Sequence, residues 1–331
     1  MILRKALSVW ARQCLKLMKV VTLTMNPAVD VSAVAEAVIP TEKVRCHGSR
    51  RDPGGGGINV ARVVGRLGGD VTAIYPAGGL TGRALSRLLE REHVKGEVIE
   101  IEGETREDIT ILDRQSGRQY RFILPGPDLS VREWQACLAA VERMGPGLAC
   151  ASGSLPPGVP NDFYARFAET ARRAGQKAFL DTAGEALKEA TKAPFHLIKP
   201  NLRELSSLVD DDLSNERAQI AACRDVLSRS RIEAIALSLG AQGALLVTRQ
   251  SAFRAYCPAV QPASTVGAGD SFMGAMIWAL ARELPWSEAL RVATAAGTAA
   301  VLTEGTELCH PDDVRRLKQQ ISVSEIENIP A

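Results

Sequence analysis

The stretch Pro262–Met276, PASTVGAGDSFMGAM, joins a small polar loop to a run that is apolar on nearly every side. In Thr265-Val266-Gly267-Ala268-Gly269-Asp270 the small residues leave the backbone unshielded. Successive N–H groups can therefore close around an anion at the start of a helix. Asp270 stands just behind this cradle. A carboxylate there has two readings: a cap on the helix N-terminus, or a general base for a hydroxyl whose neighbouring N–H groups steady a phosphoryl group in transfer. The residues that follow, Phe272, Met273, Met276, Ile277, Trp278 and Leu280, leave no wide polar face and predict a helix buried inside the domain. Anion donors on a buried helix suit a rigid active site.

Upstream, Pro53-Gly54-Gly55-Gly56-Gly57-Ile58-Asn59-Val60-Ala61-Arg62 sets a glycine run directly before a helical stretch, Ile58–Leu67. Glycines there admit a ligand against the backbone, and Asn59 offers both donor and acceptor to a hydroxyl. A flexible linker is the alternative, weakened by the helix that follows at once. The run does not follow the first strand and lacks the G-x-G-x-x-G register, and the chain has no G-x-x-x-x-G-K-[ST].

Around these motifs the chain alternates. Val20–Thr24 is a buried strand stopped at Asn26-Pro27, with Asp30 just past it, where open α/β sheets bind ligands. A carboxylate suits paired sugar hydroxyls there; a solvated loop aspartate is the alternative. Further strands are expected at Val71–Tyr75, Leu148–Ser152, Lys177–Leu180, His196–Ile198 and Ala234–Leu239, with a hairpin from Ala244–Val247 to Ala252–Tyr256. Weakly alternating segments at about 38–51 and 98–124 break this rhythm and predict a small antiparallel sheet lying apart, a lid. Arg106 and Arg121 fall in it and match a phosphate dianion, or are solvated surface. In Lys199-Pro200-Asn201-Leu202-Arg203-Glu204, Asn201 is placed to cap a helix. Glu204 is a first-turn acid or a ligand of a magnesium–water shell. The turn Gly153–Gly158 holds Ser154 but no G-x-S-x-G elbow, so a nucleophilic serine is not expected.

The 331 residues are 46% apolar with a formal charge of +2, which gives no footprint for nucleic acid. Seven scattered cysteines without C-x-x-C spacing suit reduced thiols and a cytoplasmic protein. His47, His93, His196 and His310 form no zinc pattern, leaving room for a hard cation held by oxygens. Residues 1–18 carry Arg4, Lys5, Arg12 and Lys16 but no acid and read as an extension outside the fold, too interrupted for a membrane span.

From about Met18 to Gln320 the chain resembles the PfkB-type carbohydrate kinases of the ribokinase-like superfamily. The resemblance rests on PGGGGINVARVVGRLG ending at Gly68, on KPNLRE at Lys199–Glu204, and on STVGAGDSFMGAM at Ser264–Met276. It implies a three-layer α/β/α domain over residues 19–331 with a mostly parallel central sheet and a small antiparallel β lid. The implied reaction is ATP-dependent phosphorylation of a sugar phosphate. Gly54-Gly55-Gly56-Gly57, where fructose-1-phosphate and tagatose-6-phosphate kinases tend to carry a lysine, points to fructose 6-phosphate as acceptor. A kinase for either of those other sugar phosphates, or a catalytically silent sugar-phosphate sensor, is the alternative.

By resemblance Asp270 is the base and Gly267, Ala268 and Gly269 the anion hole. Asp30, Lys43, Gly55, Gly56, Gly57, Asn59 and Ser154 would hold the sugar, with Arg106 and Arg121 on its phosphate. Lys199, Asn201, Ser238, Gly240 and Gly243 would line the ATP site, and Glu204 would order Mg2+ through water. A potassium ion would lie on backbone oxygens near Ser264, Val266, Ala300, Thr303 and Gly305, although relatives often carry asparagine and arginine where this chain has Thr303 and Glu307. Exposed lid edges predict a homodimer through the lid.

Overall fold

A computed structural model describes residues 18–303 and 305–326. The expected basic extension lies, apart from Met18, outside the described residues.

The strands are β1 (Val20–Leu23), β2 (Ala28–Ala35), β3 (Cys46–Gly54), β4 (Val71–Ala77), β5 (Lys95–Glu100), β6 (Arg106–Asp113) and β7 (Gln119–Ile123), followed by β8 (Gly147–Ser152), β9 (Gln176–Asp181), β10 (Leu197–Ile198), β11 (Ala234–Ser238), β12 (Ala244–Thr248), β13 (Ala252–Tyr256) and β14 (Ser322–Ile326). The helices are α1 (Gly56–Arg66), α2 (Gly79–Arg91), α3 (Val131–Arg143), α4 (Phe163–Arg173) and α5 (Gly184–Ala190), then α6 (Leu202–Val209), α7 (Glu216–Arg229), α8 (Ala268–Leu280), α9 (Trp286–Ala300) and α10 (Pro311–Lys318).

The large sheet runs β14-β13-β12-β11-β10-β9-β8-β1-β4-β5, parallel from β5 to β11 and antiparallel beyond. Its central strands read as unbroken apolar runs, such as the fully buried VVTL of β1, because helices cover both faces. One core packs α1, α2, α8, α9 and α10 on one face through residues such as Ile58, Leu85, Met273, Leu290 and Val314. The other packs α3 to α7 on the opposite face through Trp134, Phe163, Leu187, Leu205 and Ile220. The result is the expected three-layer architecture. Helix α8 is buried from Ser271 to Ile277, and it sits so close to α1 that a methyl on Gly274 would come within 2.7 Å of the Val63 side chain.

The small sheet runs β3-β2-β6-β7, antiparallel in its two outer pairs and parallel between β2 and β6. Its composition differs from the sequence expectation in three ways. Asp30 lies within β2 rather than in a loop, because the alternating AVDVSAVA after Pro27 starts a lid strand of its own. Residues 38–45 are not strand. The segment around Val98 belongs to β5, on the edge of the large sheet beside Tyr75 of β4. An edge strand alternates alike in either sheet, so periodicity alone does not assign it. The α5, α7 and β14 elements were also not anticipated.

Candidate active site

The glycine run turns lid strand β3 into helix α1 at the carboxyl ends of the central strands, and its glycines are there because three other strands press on it. A methyl on Gly54 would meet the Asp30 carboxylate at 2.4 Å, one on Gly56 the Ser152 hydroxyl at 2.3 Å, and one on Gly57 the Leu23 carbonyl at 2.5 Å. Gly55 takes φ 107°, open to glycine and strained for other residues. Gly56 alone of this run lines the cleft that opens here, about 510 Å3 in volume, whose wall also includes Ser154, Asp181, Glu204 and Asp270.

Asp270 enters the cleft from the first turn of α8, after Gly267 in a left-handed conformation (φ 74°). The capping reading does not hold: no side chain caps α8, and Asp270 Oδ2 instead accepts a hydrogen bond from Asn59 Nδ2 at 3.0 Å. Burial, reinforced by the charge of Asp181, pushes the Asp270 carboxyl up to about 7. Lys199, at the end of β10, is only 5% exposed. Its ammonium pairs with Asp181 at 2.9 Å and lies where a methyl on Gly269 would come within 3.3 Å of it. The N-terminal turn of α8 and a cation thus converge beside a poised carboxylate. Chemically, that arrangement can stabilise a transferring phosphoryl group and accept a proton beside it.

Asn201 and Glu204 form a reciprocal capping box at the start of α6, each accepting from the other's backbone N–H at 2.9 and 2.8 Å. Glu204 also faces the cleft, and burial raises its carboxyl above the ordinary range. Ser238 bridges to Asn201 at the end of β11. Gly240 and Gly243 shape the next turn, where a methyl on Gly243 would sit 2.2 Å from the Ala255 carbonyl, so Gly243 is demanded by packing.

On the lid side, Asp52, Asp30 and Asp108 are direct neighbours across β3, β2 and β6. Burial, then Asp108, raises Asp30 to about 7. Arg106 donates to Asp108 at 3.0 Å and to the carbonyls of Leu124 and Asn26 at 3.1 Å, and Asn26 Nδ2 donates to Ser154 Oγ at 3.2 Å. Arg106 Nε and Asn26 Oδ1 are buried without a partner among the described residues. Lys43 and Arg121 are exposed, and they, like Asp30, Asn59, Arg106 and Lys199, are not among the residues that line the cleft.

The loops named for a monovalent cation do meet. Ser264 Oγ donates to the Gly305 carbonyl at 2.9 Å and accepts from Val266 N at 3.2 Å, while Thr303 Oγ1 lies 2.8 Å from the carbonyls of Ala300 and Glu307. Backbone oxygens on two adjoining loops, with hydroxyls among them, are the donor set a large hard cation takes. Among the described residues, no cluster of His, Cys, Asp and Glu could hold a metal ion, no helix is long and apolar enough to cross a membrane, and the cysteines are free.

Three residues of this site escaped the sequence reading as contributors. Asp181 directly follows the strand expected at Lys177–Leu180 and belongs to no motif. Asn26 was read as a turn residue. Arg62 carries one signal in the sequence, a charge set between apolar pairs in Val60-Ala61-Arg62-Val63-Val64.

A family model described as pfkB family carbohydrate kinase matches residues 17–313. The ATP-dependent 6-phosphofructokinase isozyme 2 of Mycobacterium tuberculosis (strain ATCC 25618 / H37Rv) is 44% identical over 90% of this chain and 88% of its own. The phosphofructokinase-2 of Escherichia coli, solved in complex with potassium, superposes with a TM-score of 0.88 at 38% identity, covering 92% of this chain and 99% of that one. Its complex with fructose-6-phosphate gives a TM-score of 0.87 at 36% identity with the same coverage. With one residue of each signature, Gly56, Glu204 and Asp270, in the wall of one cleft and the family model spanning most of its length, the chain belongs to the pfkB family of carbohydrate kinases.

Proposed function

We propose that this kinase transfers the γ-phosphoryl group of ATP to the primary hydroxyl of fructose 6-phosphate, giving fructose 1,6-bisphosphate and ADP. One observation carries the reading: Asp270 stands free of any capping role at the mouth of the α8 cradle, held by Asn59. Asp270 takes the hydroxyl proton as that oxygen bonds to the γ-phosphorus, and the bond from the γ-phosphorus to the leaving ADP oxygen breaks. The Gly267–Gly269 backbone and Lys199 balance the negative charge on the group in transfer.

The small glycines, the buried Lys199 and the Glu204 carboxylate fit a magnesium nucleotide. Magnesium, held through water by Glu204, would supply charge neutralisation at the phosphates. Potassium would sit on oxygens of Ser264, Val266, Ala300, Thr303 and Gly305 and would supply positive charge near the anion hole. Asp30 and Ser154 take the sugar hydroxyls, and Arg106, already anchored by Asp108, faces its phosphate. The relatives named above support fructose 6-phosphate as acceptor. Their names concern those proteins, so the substrate is tested directly. ADP release from Mg-ATP is measured with fructose 6-phosphate, tagatose 6-phosphate, fructose 1-phosphate and ribose. Fructose 6-phosphate should give the highest kcat/KM, and Asp270→Asn should abolish most of the turnover. Binding without turnover in the native chain would leave a sugar-phosphate sensor.

A further inference from the structure

Arg62 is a guanidinium sealed inside the domain, 1% exposed. Its Nη1 donates to Asn59 Oδ1 at 3.2 Å and to the Pro53 carbonyl at 3.1 Å. Its Nη2 donates to Glu92 Oε1 at 2.8 Å and lies 3.9 Å from Asp52 Oδ1. Asn59 precedes it by three positions on α1, the spacing that puts two side chains on one helix face.

The chemistry of the three groups fixes the direction of the amide between them. A guanidinium has only donors and an ionised carboxylate only acceptors. Asn59 therefore satisfies both only with Oδ1 towards Arg62 and Nδ2 towards Asp270. Turned over, it would set donor against donor and acceptor against acceptor. The same guanidinium is anchored to lid strand β3 through Pro53 and Asp52. Asp52 Oδ2 in turn accepts from Thr306 Oγ1 at 2.9 Å, in the loop whose Leu308 side chain packs within 2.7 Å of where a methyl on Gly267 would stand.

We propose that Arg62 is the positioning residue of the phosphoryl transfer: it locks the Asn59 amide so that Asn59 donates to Asp270, and it ties that lock to the seating of lid strand β3. The proposal rests on the reading of Asp270 as base. The charged and titratable groups around Asp270 are Arg62 on α1, Asp181 on β9, Lys199 after β10 and the Cys150 thiol on β8. Asn59 and the two cations favour the ionised base, while burial and Asp181 oppose it. Removing Arg62 withdraws a cation and frees the amide, and both effects favour the protonated, idle form.

The test is the pH profile of kcat for the full chain, for Arg62→Met and Arg62→Lys, and for Arg62→Met combined with Asn59→Ala, beside Asp270→Asn. Arg62→Met should lower kcat at pH 7 by roughly tenfold or more and move the acid limb up by about one unit, with KM for ATP nearly unchanged. Arg62→Lys keeps the charge but cannot reach the amide, the Pro53 carbonyl and Glu92 together, so it should retain a smaller upward shift. With Asn59→Ala already present, Arg62→Met should add less than half of its shift.

An equal shift in both backgrounds would reduce Arg62 to a remote charge and overturn the lock. So would an unmoved limb in Arg62→Met. If Arg62→Met does not fold, an unmoved limb in Arg62→Lys decides the matter alone. Turnover retained in Asp270→Asn would sink the base reading instead, whatever the Arg62 variants do.

Discussion

Lys199 Nζ lies 2.9 Å from Asp181 Oδ2, with the two side chains only 6% and 16% exposed. Burial by itself would strip the lysine of its proton, but Asp181, with help from Asp270, more than offsets it and the ammonium is held above its ordinary range. The cation at the anion hole is thus kept charged by a carboxylate from the neighbouring strand.

Lys199→Met leaves Asp181 as an uncompensated, largely buried charge. Breaking such a pair from one side costs about 3 kcal/mol. Urea unfolding should show that loss, and Lys199→Met with Asp181→Leu should recover much of it, because two apolar groups leave no buried charge.

The acid limb of kcat/KM should fall near pH 7. Asp270 must be ionised to accept a proton, and its carboxyl is raised to about 7, so activity drops as pH falls through that value. An enzyme fully active at pH 5 would contradict the buried, Asp181-facing environment of the base.

The same shift has a stability consequence of opposite sense. A carboxyl raised from 3.8 to about 7 in the folded state favours folding below pH 4, and that contribution is lost as pH rises through 7. Asp270→Asn carries no such penalty. It should be more stable than the native chain at pH 8 by on the order of 2 kcal/mol, with the gap closing at pH 4 in denaturant titrations.

Gly54→Ala drives a methyl into the Asp30 carboxylate at 2.4 Å. If Asp30 holds sugar hydroxyls, displacing it removes hydrogen bonds to a charged group worth roughly 1.5–3 kcal/mol. The KM for the sugar phosphate should rise at least about tenfold while that for ATP stays nearly constant.

The lid edge β7 and the residue after it expose Phe122, Ile123 and Leu124 at 53%, 55% and 45%. A contiguous apolar edge of this kind marks an interaction surface, and we infer that two lids meet there. Pairing of two chains at this edge should be lost in Phe122→Glu, read as a fall in sedimenting mass in analytical ultracentrifugation. A native chain that is already monomeric would remove the inference.

Much of the core fold was legible because its strands are buried on both faces. VVTL at Val20–Leu23 and AIALS at Ala234–Ser238 have few other places to go, and the all-apolar FMGAMI within α8 admits only an interior helix. Lid membership was not legible, since Val98 on the large sheet and Ile109 in the lid sit in equally alternating segments. Nor were Asn26 and Asp181, whose neighbours lie far away in sequence.

What the sequence determined by itself was the chemistry available: glycines where the chain packs tightly, a carboxylate behind an anion cradle, and the order of the buried central strands. These are local properties, set by side-chain size, charge and period. Only the tertiary structure decided what each group does. It turned Asp270 from helix cap to hydrogen-bond acceptor of Asn59, 211 residues away, raised its affinity for a proton by burying it near Asp181, and brought a lysine to the same spot. Proton affinity and hydrogen-bond direction depend on which groups share a small, dry volume, and that volume exists only once the chain has folded.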